Sequence, residues 1–203
     1  MGKLRVGVLA SHAGSNMRAL HQASLAADAD FVVAVVISNN SGSGALAYAR
    51  EQDVATRHLS GRTHPDPEAL DDAIRATLVQ HGVDYVVTAG YMRKLGPLVR
   101  KEFSGRILNI HPALLPRHGG HGMYGLAVHE AVLAAGDAVS GPSVHLVDEE
   151  YDTGAVLAQR EVPVLPGDTV ESLAARVLDA EHVLLPQVVA GIAGEHRQGS
   201  SGQ

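Results

Sequence analysis

Four runs of apolar, mostly β-branched residues recur along the chain without polar alternation. They are residues 4–10 (LRVGVLA), 31–38 (FVVAVVIS), 84–89 (DYVVTA) and 106–110 (RILNI). A strand with one wet face alternates apolar and polar residues. A continuous run is instead buried on both faces, as in a parallel sheet covered by helices. Helical patterns fall between and after these runs. Met17, Leu20 and Leu25 stand at roughly helical spacing, residues 45–51 read as a short helix, and residues 67–80 as a longer one. In the longer helix Asp66 is placed to cap the first turn, Pro67 stands at its first position, Leu70, Ile74 and Leu78 form the apolar stripe, and Gly82 stops it. Residues 128–135 read as a helix closed by Gly136. Residues 143–147 and 156–164 read as two later strands. Asp168 caps a long terminal helix running to about residue 193 and interrupted at Pro186.

Strands alternating with helices predict an α/β fold, a single domain with a Rossmann-like, mainly parallel sheet flanked by helices. A length of 203 residues fits one such domain. It is assigned to residues 1–195, with 196–203 expected to be a disordered polar tail. Composition narrows the chemistry. The absence of cysteine excludes disulfides, thiolate metal sites and cysteine nucleophiles. A net charge of −6 opposes nucleic acid as the main partner, because neutralising phosphates needs a basic surface. No stretch approaches the ~18 apolar residues of a spanning helix, so no membrane partner is expected. The apolar run after Met1 is too short for a secretory leader, which makes the cytoplasm the expected compartment. Twelve histidines leave metal binding and acid–base work open.

Ligands of open α/β sheets bind beyond the carboxyl ends of the strands, so the loops after the strands carry the information. Residues 10–16 (ASHAGSN) leave the first strand and open a helix whose unpaired N–H groups suit a phosphate, although a plain capped turn has the same look. No dinucleotide or phosphate-loop signature is present, and no acid follows the second strand to hold an NAD ribose. Residues 109–116 (NIHPALLP) are the strongest signal. Asn109 and His111 are two apart on an extended chain and share one face, where an amide and an imidazole can stabilise an oxyanion and move a proton. Residues 143–154 (SVHLVDEEYDTG) place Asp148, Glu149, Glu150 and Asp152 in one loop. An acid from it near His111 would raise the imidazole pKa. His118 and His121 form an HxxH pair with no third ligand evident, so no metal is expected.

NIHPALLP followed by a DxG loop resembles the folate-dependent formyltransferase family. The other pieces fall in order along nearly the whole chain: the first strand with GSN, TAGYMRKL, SVHLVDEEYDTG, GDT and a late EH. The resemblance implies the formyltransferase fold, with 10-formyltetrahydrofolate as co-substrate and glycinamide ribonucleotide as the accepting amine, in a step of de novo purine biosynthesis. It also implies a protein acting as monomer or homodimer. Among relatives, the tRNA-directed enzyme carries an added C-terminal domain. The formyltetrahydrofolate deformylase has an N-terminal one, and a second histidine where this chain has Pro112. By position, Asn109, His111 and Asp152 match the catalytic amide, imidazole and acid. Gly14, Ser15 and Asn16 match the substrate phosphate loop, and Glu181 matches the acid that holds the ribose. Met92, Arg93 and Leu95 match the wall of the folate pocket, which Asn109 also faces. The chain departs from many relatives at His12, where a smaller residue is common, and in the longer loop at residues 117–130. A deformylating hydrolase on the same scaffold and a non-catalytic folate- or nucleotide-binding module are the alternatives.

Overall fold

The computed structural model describes residues 2–199. The chain divides into two compact units: residues 1–107 with 189–203, and residues 108–188.

In the first unit the continuous apolar runs become strands β1 (Leu4–Leu9), β2 (Phe31–Ser38) and β4 (Tyr85–Thr88). A short strand that periodicity does not reveal, β3 (Ala55–His58), joins them. The order is β3-β2-β1-β4 and every pairing is parallel. Val6, Val8, Val35, Val36, Ile37, Val86 and Val87 are fully buried or nearly so, as two covered faces require. The helices are α1 (Ser15–Ser24), α2 (Gly44–Glu51), α3 (Pro67–Gln80) and α4 (Pro97–Glu102). Helix α3 has the expected bounds, and the Asp66 carboxylate accepts from the N–H groups of Glu68 and Ala69. Helix α4 was not expected. Its first turn follows Gly96-Pro97 and is capped from α3, where the Asp71 carboxylate accepts from Leu98 N–H and Val99 N–H.

In the second unit β5 (Ile107–His111), whose first residue belongs to the other unit, pairs antiparallel with β7 (Ser143–Leu146), and β7 pairs antiparallel with β8 (Val156–Gln159). Residues 156–164 are not one strand. The chain leaves β8, turns, and forms β9 (Val162–Pro163) against β6 (Val139–Ser140), a two-stranded ribbon. Helix α5 (Leu126–Ala135) starts two residues earlier than its sequence pattern and ends on left-handed Gly136, as expected.

Helix α6 (Val170–Gly199) corrects two expectations. Pro186 lies inside it without ending it. The missing N–H and the ring clash cost about 3 kcal/mol, but Leu184, Leu185 and Val189 on either side are buried and outweigh that local penalty. Residues 196–199, assigned to a disordered tail, are helical, while 200–203 lie outside the described residues. By length and composition α6 is also apolar enough to cross a membrane, with a mean hydropathy of 1.2 over its best window. Its apolar residues nevertheless recur at three to four positions, and Leu173, Val177 and Ala180 pack with Val132 and Val162 in a protein core.

Candidate active site

Strand β5 presents Asn109 and His111 on one face, and the antiparallel register sets their neighbours: Asn109 stands opposite His145 and His111 opposite Ser143. Cross-strand partners bring their side chains within reach. Asn109 Nδ2 lies 3.1 Å from His145 Nε2. The loop after β7 then returns Asp152 to this pair. Its Oδ2 lies 3.5 Å from His111 Nδ1, and its Oδ1 lies 3.4 Å from His145 Nε2 and 3.5 Å from Asn109 Nδ2. Asp152 adopts φ 57°, and Gly154 follows where a Cβ would collide with the Leu146 carbonyl. Glycine at this position therefore lets the loop close tightly enough on β7 to aim the carboxylate.

Asn109, His111 and Asp152, the three residues expected to act together, thus form one cluster in the second unit. Asp148 does not join it. Its carboxylate is exposed and accepts from Glu150 N–H and Thr153 Oγ1–H within its own turn. Sequence reasoning missed His145. Its only sequence signal is its place two residues after Ser143 on a predicted strand, and the pairing that brings it to Asn109 spans 36 positions.

The tautomer of His111 follows from its surroundings. Its Nε2 lies 2.8 Å from the His118 carbonyl oxygen, which can only accept, so Nε2 carries the proton. Nδ1 faces Asp152. Burial overrides the upward pull on the His111 pKa that a nearby acid was expected to exert and that Asp152 does exert. Burial of the ring, 4% exposed, pushes it below the ordinary imidazole value and outweighs the opposing pull of the Asp152 charge and the His118 carbonyl. Burial thus favours the neutral ring at rest, and Nδ1 is the nitrogen that Asp152 faces. Burial works to raise the Asp152 pKa, but the hydrogen bond from His145, the proximity of His111 and the Gly120 N–H, 3.0 Å from Oδ2, bring it below the usual carboxylate range. His129, on α5, is also buried, with Nδ1 unpartnered, and burial followed by the proximity of His111 depresses its pKa.

The other expected site residues are placed as follows. Glu181 is buried on α6. His118 Nε2 bonds the Asp137 carboxylate, and the His121 ring packs edge-on to Tyr151. In the first unit Gly14, Ser15 and Asn16 open α1. Gly14 is left-handed at φ 74° and makes no side-chain cap at the helix start, where the dipole of α1 presents its positive end. Met92 and Arg93 are exposed and Leu95 is buried. Ser11, on the loop that leads to Gly14, donates its hydroxyl to Asn39 Oδ1 and accepts from Met92 N–H at 2.9 Å.

Residues 4–189 match the model of the formyl transferase family, and the chain belongs to that family. Among its relatives, phosphoribosylglycinamide formyltransferase of Escherichia coli is 36% identical over 94% of this chain and 87% of its own length. The chloroplastic enzyme of that name from Vigna unguiculata is 43% identical over 94% of this chain. The chain spans only 61% of that relative's length. The crystal structure of phosphoribosylglycinamide formyltransferase from Brucella melitensis superposes with a TM-score of 0.87 at 42% identity, covering 94% of this chain and 96% of that one.

Proposed function

We propose that this chain transfers the formyl group of 10-formyltetrahydrofolate to the amine of glycinamide ribonucleotide, in de novo purine biosynthesis. The observation that carries the reading is the Asn109–His111–Asp152 cluster in a formyl transferase whose relatives bear that activity in their names. Residues 1–195 act as one catalytic domain in the cytoplasm, as monomer or homodimer. The positive end of the α1 dipole, behind left-handed Gly14, supports a phosphate-binding role for Gly14, Ser15 and Asn16, and buried Glu181 takes the ribose hydroxyls. Met92, Arg93 and Leu95 wall the folate.

The chemistry follows from the resting protonation. The amine nitrogen of the ribonucleotide attacks the formyl carbon, and the carbonyl π pair moves to oxygen. Asn109 Nδ2 turns from its long contact with Asp152 Oδ1 to donate to that oxyanion. His111 Nδ1, bare in the Nε2–H tautomer, takes a proton from the amine. The resulting imidazolium is stabilised by Asp152. The oxyanion then collapses, the bond from carbon to the folate N10 breaks, and N10 receives the proton from His111 Nδ1. Burial of His111 suits this cycle, because it keeps the ring neutral before attack and makes it a ready acid afterwards.

The test is to follow tetrahydrofolate formation by absorbance with purified chain and 10-formyltetrahydrofolate, with and without glycinamide ribonucleotide. Product that depends on the ribonucleotide supports transfer. Product at the same rate without it means hydrolysis, and ligand binding with no product means a binding module.

A further inference from the structure

We propose that Asp137 is a positioning residue for this reaction: it anchors the loop whose His118 carbonyl and Gly120 N–H hold the His111 ring and the Asp152 carboxylate. The inference deepens the formyl-transfer reading and rests on it.

Asp137 follows the left-handed Gly136 that ends α5. Its carboxylate meets two consecutive side chains of the loop after β5. His118 Nε2 donates to one oxygen at 2.7 Å and the Arg117 guanidinium donates to the other. Asp137 and His118 are largely buried, with side chains 11% and 15% exposed, so the pair is shielded from solvent competition in a way that surface pairs are not. The hydrogen bond from His118 and the charge of Arg117 hold the Asp137 carboxyl below its usual range against the cost of burial. His118 sits at φ 53°, a left-handed conformation that costs a residue with a side chain about 1 kcal/mol. Such a conformation persists where neighbouring contacts over-determine it, and the grip of Asp137 on the His118 ring is that contact.

Two groups of this short stretch reach the reacting cluster through main-chain atoms. The His118 carbonyl accepts His111 Nε2–H at 2.8 Å, and Gly120 N–H donates to Asp152 Oδ2 at 3.0 Å. The first fixes which nitrogen of His111 is bare. The second fixes which oxygen of Asp152 faces it. If the loop relaxes, His111 loses the acceptor for Nε2–H, and the competing tautomer, with Nδ1–H donated to Asp152, removes the nitrogen that takes the amine proton. The side chains of Asp137 and His118 need not touch substrate to matter, because they act through the backbone between them and His111.

The experiment compares wild type with Asp137→Ala, Asp137→Glu and His118→Ala in the full chain. The His111 ring tautomer is read from 15N-histidine NMR above the imidazole range, and kcat and KM from the formyl-transfer assay. Wild type should show Nε2–H at His111, whereas Asp137→Ala and His118→Ala should shift it to Nδ1–H or a mixture. Their kcat should fall by about tenfold to a hundredfold, the size seen when the outer hydrogen-bond partner of a metal-bound imidazole is lost. KM for both substrates should change by less than about threefold, as for a group that acts in the transition state alone. Asp137→Glu should restore most of the kcat. An unshifted tautomer with wild-type kcat in both alanine variants overturns the proposal, as does a lowered melting temperature with no change of tautomer. Should Asp137→Ala not fold, His118→Ala decides, because it removes the same contact and leaves the Arg117 pair. A wild type that shows the Nε2–H tautomer but no transfer sinks the formyl-transfer reading, and the tautomer data still decide the positioning claim.

Discussion

Replacing Asp152 by Asn keeps the shape of the side chain and removes its charge. Its amide oxygen can still accept the Gly120 N–H that Asp152 Oδ2 now accepts at 3.0 Å. What disappears is the attraction between the carboxylate and the imidazolium formed during transfer. At the observed 3.5 Å separation, two unit charges in a medium of effective dielectric 20 attract by about 4 to 5 kcal/mol. The carboxylate is 11% exposed, so solvent takes part of this, and a loss of about 3 to 4 kcal/mol, or a factor of about 10² to 10³ in kcat, is expected. In serine proteases the corresponding change costs about 10⁴, largely because the aspartate there sets the histidine tautomer. Here the His118 carbonyl sets it, so the tautomeric part of the loss should be absent. The assay is steady-state transfer to glycinamide ribonucleotide, with Asp148→Asn alongside. Asp148 serves an exposed turn, and its variant should stay within about twofold of wild type, as surface substitutions do. Turnover of Asp152→Asn within tenfold of wild type, or an equal loss in Asp148→Asn, would refute the assignment.

Asn109→Ala removes the proposed oxyanion donor and should lower kcat by about 3 kcal/mol in transition-state stabilisation; turnover within a few-fold of wild type would remove Asn109 from that role. Gly14→Ala places a Cβ at φ 74°, 2.6 Å from the Ala45 Cβ and 2.8 Å from its Cα. The left-handed backbone and the overpacking together should cost about 2 to 4 kcal/mol, visible as a lower urea midpoint, with a raised KM for the ribonucleotide; a neutral variant would contradict the tight-turn account. Burial holds His21, His111 and His129 below the ordinary imidazole value. The unfolded chain therefore binds more protons once the pH drops below about 6.5, and stability should be full above that pH and decline as it falls toward the lowered folded values. By the same shift, the acid limb of kcat/KM should lie below about pH 6.5; a limb above it would mean that His111 is charged at rest.

The parts of the fold that were legible in the sequence are those set by local rules. Buried runs such as FVVAVVIS become strands because nothing polar interrupts them, and α3 has its expected bounds because Asp66, Pro67 and Gly82 mark both ends. Strand β3, four residues none of which is fully buried, carries no such pattern. Pro186 shows the opposite failure, in which a correct local rule yields to tertiary burial of Leu184, Leu185 and Val189. In the candidate site, the two-residue spacing of Asn109 and His111 was readable, since strand geometry alone puts them on one face. His145 and Asp137 were not, because their roles depend on antiparallel register and on a helix end 19 positions from His118. The direction of the His111 shift was also out of reach, because the balance between burial and the Asp152 charge exists only once the ring is packed.

The most direct test of formyl transfer follows the carbon itself. With 10-formyltetrahydrofolate labelled in the formyl group, the label should appear in the amide of formylglycinamide ribonucleotide, in a ratio of one to the tetrahydrofolate released. Without the ribonucleotide, little label should leave the folate. Label recovered as formate at an undiminished rate in the absence of the amine would contradict the account.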